Sequence, residues 1–339
     1  MTEQRIVYVV GAGLSAGLGF PTISSLLREI WPRLTASDAA DDLARIIRFH
    51  HPDFNPARDE TFVNVEMLLS EMQANEQLFN STRAAIGGFT SDELIERRQS
   101  FLLAIAVWFH EMQRKALDEK PQWFTRLVKQ MLEEEAQIIS FNWDLVLDEL
   151  LFGDDLDHSC YGLSRMRRRG ARLIKPHGSL NWYDHATGRH LSKEKKFKLH
   201  GTGANAIYAF KPYRAPSSSR RSYMPLIVPP VLNKEFGGSV FQRLWRESVS
   251  VLSTASEVRF LGYSLADADF HARFVLRCGF YNQEHGEPDR HGTTQPPTGR
   301  ALVTIVDPNE EVGKRIERAV GWQCSYSKKT IRQWMMKAG

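Results

Sequence analysis

The chain has 339 residues, 42% hydrophobic and 25% charged, with a formal net charge of +4. That composition excludes a largely disordered or fibrous chain, and the longest apolar runs, such as 101–109, are too short to span a bilayer. Cys160, Cys278 and Cys324 stand far apart, which argues against a disulfide framework and against zinc held by CxxC pairs. No secretory signal pattern opens the chain, so a cytoplasmic protein is expected. The mild positive charge permits anionic ligands but does not by itself point to nucleic acid.

The β-branched and aromatic run 5–10 ends abruptly at Gly11 and reads as a buried strand. A glycine-rich turn, 11–17, leads to a helix start near Thr22 or Ser24, either of which suits an N-cap. From 35 to 133 the spacing becomes helical, with Val65, Leu68, Leu69 and Met72, then Leu102, Ile105, Ala106 and Phe109, then Phe124, Leu127, Val128 and Met131. Strand patterns return at 136–142, 172–175, 226–228, 257–262 and 301–307. Helical patterns fill 144–151, 240–253, 269–280 and 309–320. Alternating strands and helices predict an α/β fold, a Rossmann-like doubly wound parallel sheet. The expected division is a discontinuous Rossmann-like domain, 1–34 with 134–339, interrupted by a helical domain at 35–133. The polar stretches 184–222 and 282–300 read as long loops.

Gly11-x-Gly13-x-x-Ala16 sits between a strand and a helix, where a dinucleotide fingerprint has a mechanism. The first glycine makes the turn, and the second lets the backbone approach a diphosphate. The other reading is a tight turn without a ligand. No acidic residue ends a second strand about 20 residues on, which counts against a hydride-transfer enzyme.

The ordered set of motifs resembles the sirtuins. Gly11-Ala12-Gly13-Leu14-Ser15 is similar to their opening glycine motif, and Phe141-Asn142-Trp143-Asp144 to their Gln-Asn-Ile-Asp box. Lys175-Pro176-His177-Gly178 is similar to their His-Gly motif, in the form found in sirtuin-like proteins of bacterial defence systems. Gly262-Tyr263-Ser264 stands where sirtuins carry Gly-Thr-Ser, and Asp307-Pro308-Asn309 where they place an Asn on the adenosine ribose. The chain departs from the family in lacking the two CxxC pairs of its zinc module, and in carrying Thr22-Ile23-Ser24 after Pro21 where the family has Asp-Phe-Arg. The resemblance therefore implies NAD⁺ as substrate, no metal, and a hydrolase that depletes NAD⁺ in antiphage defence. It implies NAD⁺ contacts from Gly11, Ala12, Gly13, Ser15, Asp144, Gly262, Ser264, Asp307 and Asn309. It also implies a homo-oligomer and a HerA-type ATPase partner. A protein deacylase or ADP-ribosyltransferase, and a non-catalytic sensor of NAD⁺ or ADP-ribose, are the alternatives.

Asn142 and His177 are the candidate catalytic pair, each at a predicted strand end, where ligands collect in open α/β sheets. An amide can hold a ribose hydroxyl or a water without charge, and an imidazole titrates near neutrality and can take a proton. Asn142 could instead cap the following helix, and Asp144 either caps it or contacts the nicotinamide amide. His185 and His190 fall in a polar loop and read as solvated. Arg165, Arg167, Arg168, Arg169 and Arg172 read first as a solvated loop and second as a surface for nucleic acid or an acidic partner. Trp143, Trp182 and Tyr183 read as core or pocket walls. Because the turn lies at the surface end of the sheet, Gly13→Val is expected to block NAD⁺ and leave the fold largely intact.

Overall fold

In the computed structural model, which describes residues 5–35, 39–78, 88–164, 169–185, 196–210, 225–227, 239–266, 269–288 and 294–337, the centre of the molecule is strand β1 (Ile6–Val10). All five of its residues are buried, as an uninterrupted apolar run requires when both faces of a parallel sheet are covered. On one side β1 pairs with β2 (Gln137–Ser140), which pairs with β3 (Arg172–Ile174). On the other it pairs with β7 (Glu257–Leu261), followed by β10 (Leu302–Val306) and β11 (Ser325–Ser327). All these pairings are parallel, so the sheet is a doubly wound α/β sheet with the order β11-β10-β7-β1-β2-β3.

After β3 the chain returns to the far side of β1. The order therefore reverses between β1 and β7, and the C-terminal ends of the strands around this reversal are where a ligand crevice belongs in such a sheet. The chain leaves β1 through α1 (Ala12–Ala16) and α2 (Ile23–Leu34), where Thr22 is the N-cap residue and its N–H donates to Ser25 Oγ at 3.2 Å. Helices α3 (Ala39–His50), α4 (Val65–Leu78), α5 (Ser91–Glu119) and α6 (Gln122–Glu133) follow before β2 begins. Trp31, Phe54 and Phe62 meet edge to face, with centroids 5.2 to 5.6 Å apart, tying α2 to the start of this helical segment. Helices α7 (Val146–Phe152), α8 (Ser239–Ser253), α9 (Phe270–His285), α10 (Glu310–Val320) and α11 (Ile331–Lys337) match the remaining helical patterns, with α11 additional.

Three expectations change. The run 226–228 does not join the main sheet. Leu226 donates its N–H to Trp182 O at 2.7 Å, and Ile227 forms an isolated antiparallel bridge with Gly178, while Val228 lies outside the described residues. A parallel strand needs a crossover connection to the same sheet, and this run instead pairs back onto the nearby turn. The expected loop 184–222 contains β5 (Lys196–His200) and β6 (Ile207–Phe210), which form an antiparallel sheet with β4 (Trp182–Tyr183). The expected loop 282–300 begins inside α9 and includes β8 (Glu287–Pro288) and β9 (Thr294–Gln295), which pair antiparallel. Strands of two to five residues hold too few positions for a pattern to stand out from loop composition.

Candidate functional site

Two glycine turns meet at the mouth of the crevice. Gly13 donates its N–H to Gly262 O at 2.8 Å, and a Cβ on Gly13 would stand 2.7 Å from Gly262 Cα. Gly262, at φ +59°, would in turn place a Cβ 2.6 Å from Gly13 C. The backbones touch, so neither position has room for a side chain. This corrects the expectation for Gly13→Val, because the valine would strike backbone. The Gly13 N–H is already bonded within the fold, and its backbone still lines the crevice. Leu265, buried at φ +48°, completes the second turn in a conformation that costs about 1 kcal/mol or more for a side chain with a Cβ. The turn presents Ser264 to the crevice.

One strand over, the loop after β2 is held by side chains. Asn142 Nδ2 donates to Gly11 O and to Ser15 Oγ, both at 2.9 Å. Ser15 Oγ donates to Asp144 Oδ2 at 2.7 Å. The direction of each bond is therefore fixed, and the carboxamide oxygen of Asn142 is the group left for a ligand. Asp144 also accepts from Val146 N–H at 3.1 Å, so it ties the first residue of α7 to Ser15. Burial pushes the Asp144 carboxyl above its ordinary range, with the Lys175 charge opposing. Lys175, 1% exposed, donates to Asp144 O at 2.6 Å and pairs with Asp148 at 3.0 Å, tying this loop to the end of β3. From α5, Gln113 Oε1 accepts from Leu145 N–H at 3.0 Å.

His177 follows β3 and is 3% exposed. Its Nε2 lies 3.2 Å from Asp269 Oδ2. Asp269, 2% exposed, also caps α9 by accepting from Ala272 N–H at 3.3 Å. Tyr263 OH donates to it at 3.4 Å, and burial with the Asp269 charge raises that phenol well above its ordinary range. Phe141 stacks on Tyr263 at 4.3 Å and meets the His177 ring edge to face at 5.0 Å.

These groups line an inner cavity of about 80 Å³, walled by Phe20, Phe109, Phe141, Trp143 and Tyr263. Its polar lining includes Ser15, Asn142, His177, Glu66, Asp144 and Asp269, and no Lys or Arg is among its described residues. Aromatic walls with acidic groups favour a flat, cationic ligand group. An outer cavity of about 690 Å³ adjoins it, sharing Ala12, Ile23, Glu66, Ser264 and Ala266. The outer cavity runs past Gly13 and Gly262 to Asp307, Asn309 and Arg332.

All the candidate residues thus meet in one crevice. Gly11, Ala12, Ser15, Asn142, Asp144, His177 and Ser264 line the inner cavity, and Ala12, Gly13, Gly262, Ser264, Asp307 and Asn309 the outer one. Asn309 Oδ1 accepts from Glu311 N–H at 3.0 Å, capping α10, so its amide N–H groups are what it offers. Burial raises the Asp307 carboxyl above its ordinary range. Sequence reading missed Asp269, whose place before a helix looks like an ordinary cap, and Glu66, hidden in the polar pattern of α4. It also missed Arg332. One other reading changes. Arg172 is buried in β3 and pairs with Glu247 at 2.8 Å rather than lying in solvent, and Arg165, Arg167, Arg168 and His190 lie outside the described residues. Trp143 is a pocket wall, whereas Trp182 and Tyr183 are fully buried core.

No protein-family model and no curated protein matches the chain. Among solved structures, it is similar to Sir2Tm bound to a propionylated peptide, at 14% identity and a TM-score of 0.38, covering 99% of this chain and 92% of that one. A substituted Sir2 homologue in complex with 2′-O-acetyl ADP-ribose gives 12% identity and a TM-score of 0.46, covering 99% and 90%. Another, in complex with ADP-ribose, gives 13% identity and a TM-score of 0.40 over the same shares. No described helix is long and apolar enough to cross a membrane.

Proposed function

We propose that the protein cleaves the nicotinamide–ribose bond of NAD⁺ and transfers the ADP-ribosyl group to water. The observation that carries this reading is the meeting of Asn142 and His177 in an aromatic-walled, acid-lined cavity at the sheet's switch point. The cationic nicotinamide ring enters the inner cavity, facing Glu66, Asp144 and Asp269 across apolar walls. The diphosphate and adenosine extend along the outer cavity toward Asp307, Asn309 and Arg332. The helical segment expected as a separate domain at 35–133 supplies one wall through Glu66 and Phe109.

The C1′–N bond breaks with its electron pair going to the pyridinium nitrogen, so nicotinamide leaves neutral. Positive charge develops on the ribose, and the surrounding carboxylates stabilise it. The Asn142 carboxamide oxygen, oriented by Ser15 and Gly11, holds a ribose hydroxyl or the attacking water. His177 takes a proton as water adds to C1′, and the imidazolium forms beside Asp269. The products are nicotinamide, ADP-ribose and a proton.

The defence role, the homo-oligomer and the HerA-type ATPase partner rest on the sequence motifs. The test incubates the full chain with NAD⁺, with and without an acetylated peptide and with and without an added HerA-type ATPase. Nicotinamide with free ADP-ribose, independent of peptide, is the expected result. Release that requires the peptide assigns a deacylase instead. NAD⁺ binding without nicotinamide release in every arm assigns a sensor.

A further inference from the structure

Helices α9 and α10 pack side by side and border an open hollow of about 580 Å³ lined by Arg273, Arg277, Glu311, Arg315, Arg318 and Ala319. It shares no lining residue with the crevice. The arginines come in helical pairs, four apart on α9 and three apart on α10, which puts each pair on one helix face. Gathering four guanidinium groups raises the local potential and attracts a polyanion. Glu311, the acidic residue in this lining, is already bonded to Lys314 at 2.8 Å. Arg277 and Arg318 each spend one N–H on a backbone carbonyl, Val320 O and Lys314 O, both at 3.3 Å. The rest of each planar fork matches the oxygens of a phosphate group.

Beside the arginines, α9 exposes large rings. Phe270 and Phe274 are each 58% exposed and Tyr281 47%, and at helical spacing all three share a face with Arg277. The Arg277 guanidinium lies 5.9 Å from the Tyr281 ring centroid. Positive forks next to exposed aromatic faces are the two elements that hold phosphates and stack bases.

We propose that the α9–α10 surface is a second ligand site that binds nucleotide phosphates, with the arginines on the phosphate groups and Phe274 beneath the base. The site stands independently of the NAD⁺ reading. Arg277 and Arg318 define it most cleanly, because Arg273 and Arg315 also act electrostatically on Tyr263 and Asp307 of the crevice.

The test uses the full chain and a short fluorescent oligothymidylate, followed by anisotropy and competed with inorganic tripolyphosphate or a nucleoside triphosphate. Binding of the probe or of a labelled nucleoside triphosphate should weaken with added salt. Arg277→Gln with Arg318→Gln should weaken it about tenfold or more. Arg28→Gln with Arg33→Gln, which removes the same charge from exposed positions of α2, should bind as wild type, and so should Asn142→Ala. Preference for the strand assigns single-stranded nucleic acid, and preference for the triphosphate assigns a free nucleotide. Unchanged binding by the Arg277/Arg318 variant overturns the proposal. So does an equal loss in the α2 control, polyglutamate binding as tightly as the phosphates, or no binding by any probe.

Discussion

The two sides of the crevice are held in place by different physics. At the switch point, Gly13 and Gly262 meet backbone against backbone, and the geometry depends on atoms that cannot be trimmed. On the neighbouring strand ends, Asn142, Asp144 and His177 are placed by side-chain hydrogen bonds to Ser15, Lys175 and Asp269. The first arrangement is a requirement of the fold. The second is a set of polar groups that the fold could replace with apolar ones of similar shape. Substitutions on the glycine side should therefore be read in stability, and substitutions on the polar side chiefly in chemistry.

The largest effect should come from the polar side. Asn142→Ala and His177→Ala should each lower nicotinamide release by about 10²–10⁴-fold. Combined, they should lose far less than the product of the two, because both serve one transition state. Asn142→Ala should keep a melting temperature close to wild type, since it is only half-buried. Near-wild-type turnover by either folded variant removes the pair from the mechanism.

The glycine side should respond in the opposite sense. Gly13→Val places side-chain atoms inside contact distance of Gly262 backbone and should cost about 3 kcal/mol or more of unfolding free energy. Thermal or urea unfolding measures this directly. A variant with unchanged stability would show that the two turns do not touch, and the comparison would collapse.

Asp269→Asn sharpens the distinction within the polar side. Asn caps a helix about as well as Asp, so α9 should survive. The charge beside His177 is lost, and turnover should fall by about 10²-fold or more, because a carboxylate beside a base histidine orients the ring and stabilises its imidazolium. The acidic limb of the pH–rate profile should move with it, which simple loss of packing would not produce.

The smallest effect concerns stability against pH. The Asp144 carboxyl is raised in the folded protein from an ordinary value of 3.8. Its protonation therefore favours the fold, a contribution that is full below the unfolded value and is lost as pH rises through the folded one. Asp144→Asn should flatten the fall in melting temperature over that window. An unchanged profile would place the Asp144 carboxylate in a better-compensated environment than its buried setting indicates.

Local patterning was enough to read the main strands, most of the helices and the parallel sheet, because β-branched runs ending at glycine and helix-spaced apolar residues report burial directly. It also marked Asn142 and His177, since residues just past strand ends are where such sheets gather ligands. The tertiary structure alone decided what those residues touch. Ser15 and Asp144 are 129 positions apart in the chain, and no periodicity encodes their 2.7 Å bond. Asp269 looks like any helix cap until the chain brings it to 3.2 Å from His177. Gly13 and Gly262 each signal a turn, but only their meeting shows that the glycines make room for one another. Sequence pattern reports which face of an element is buried, whereas close contacts across the sheet depend on how twisted strands and helices finally pack.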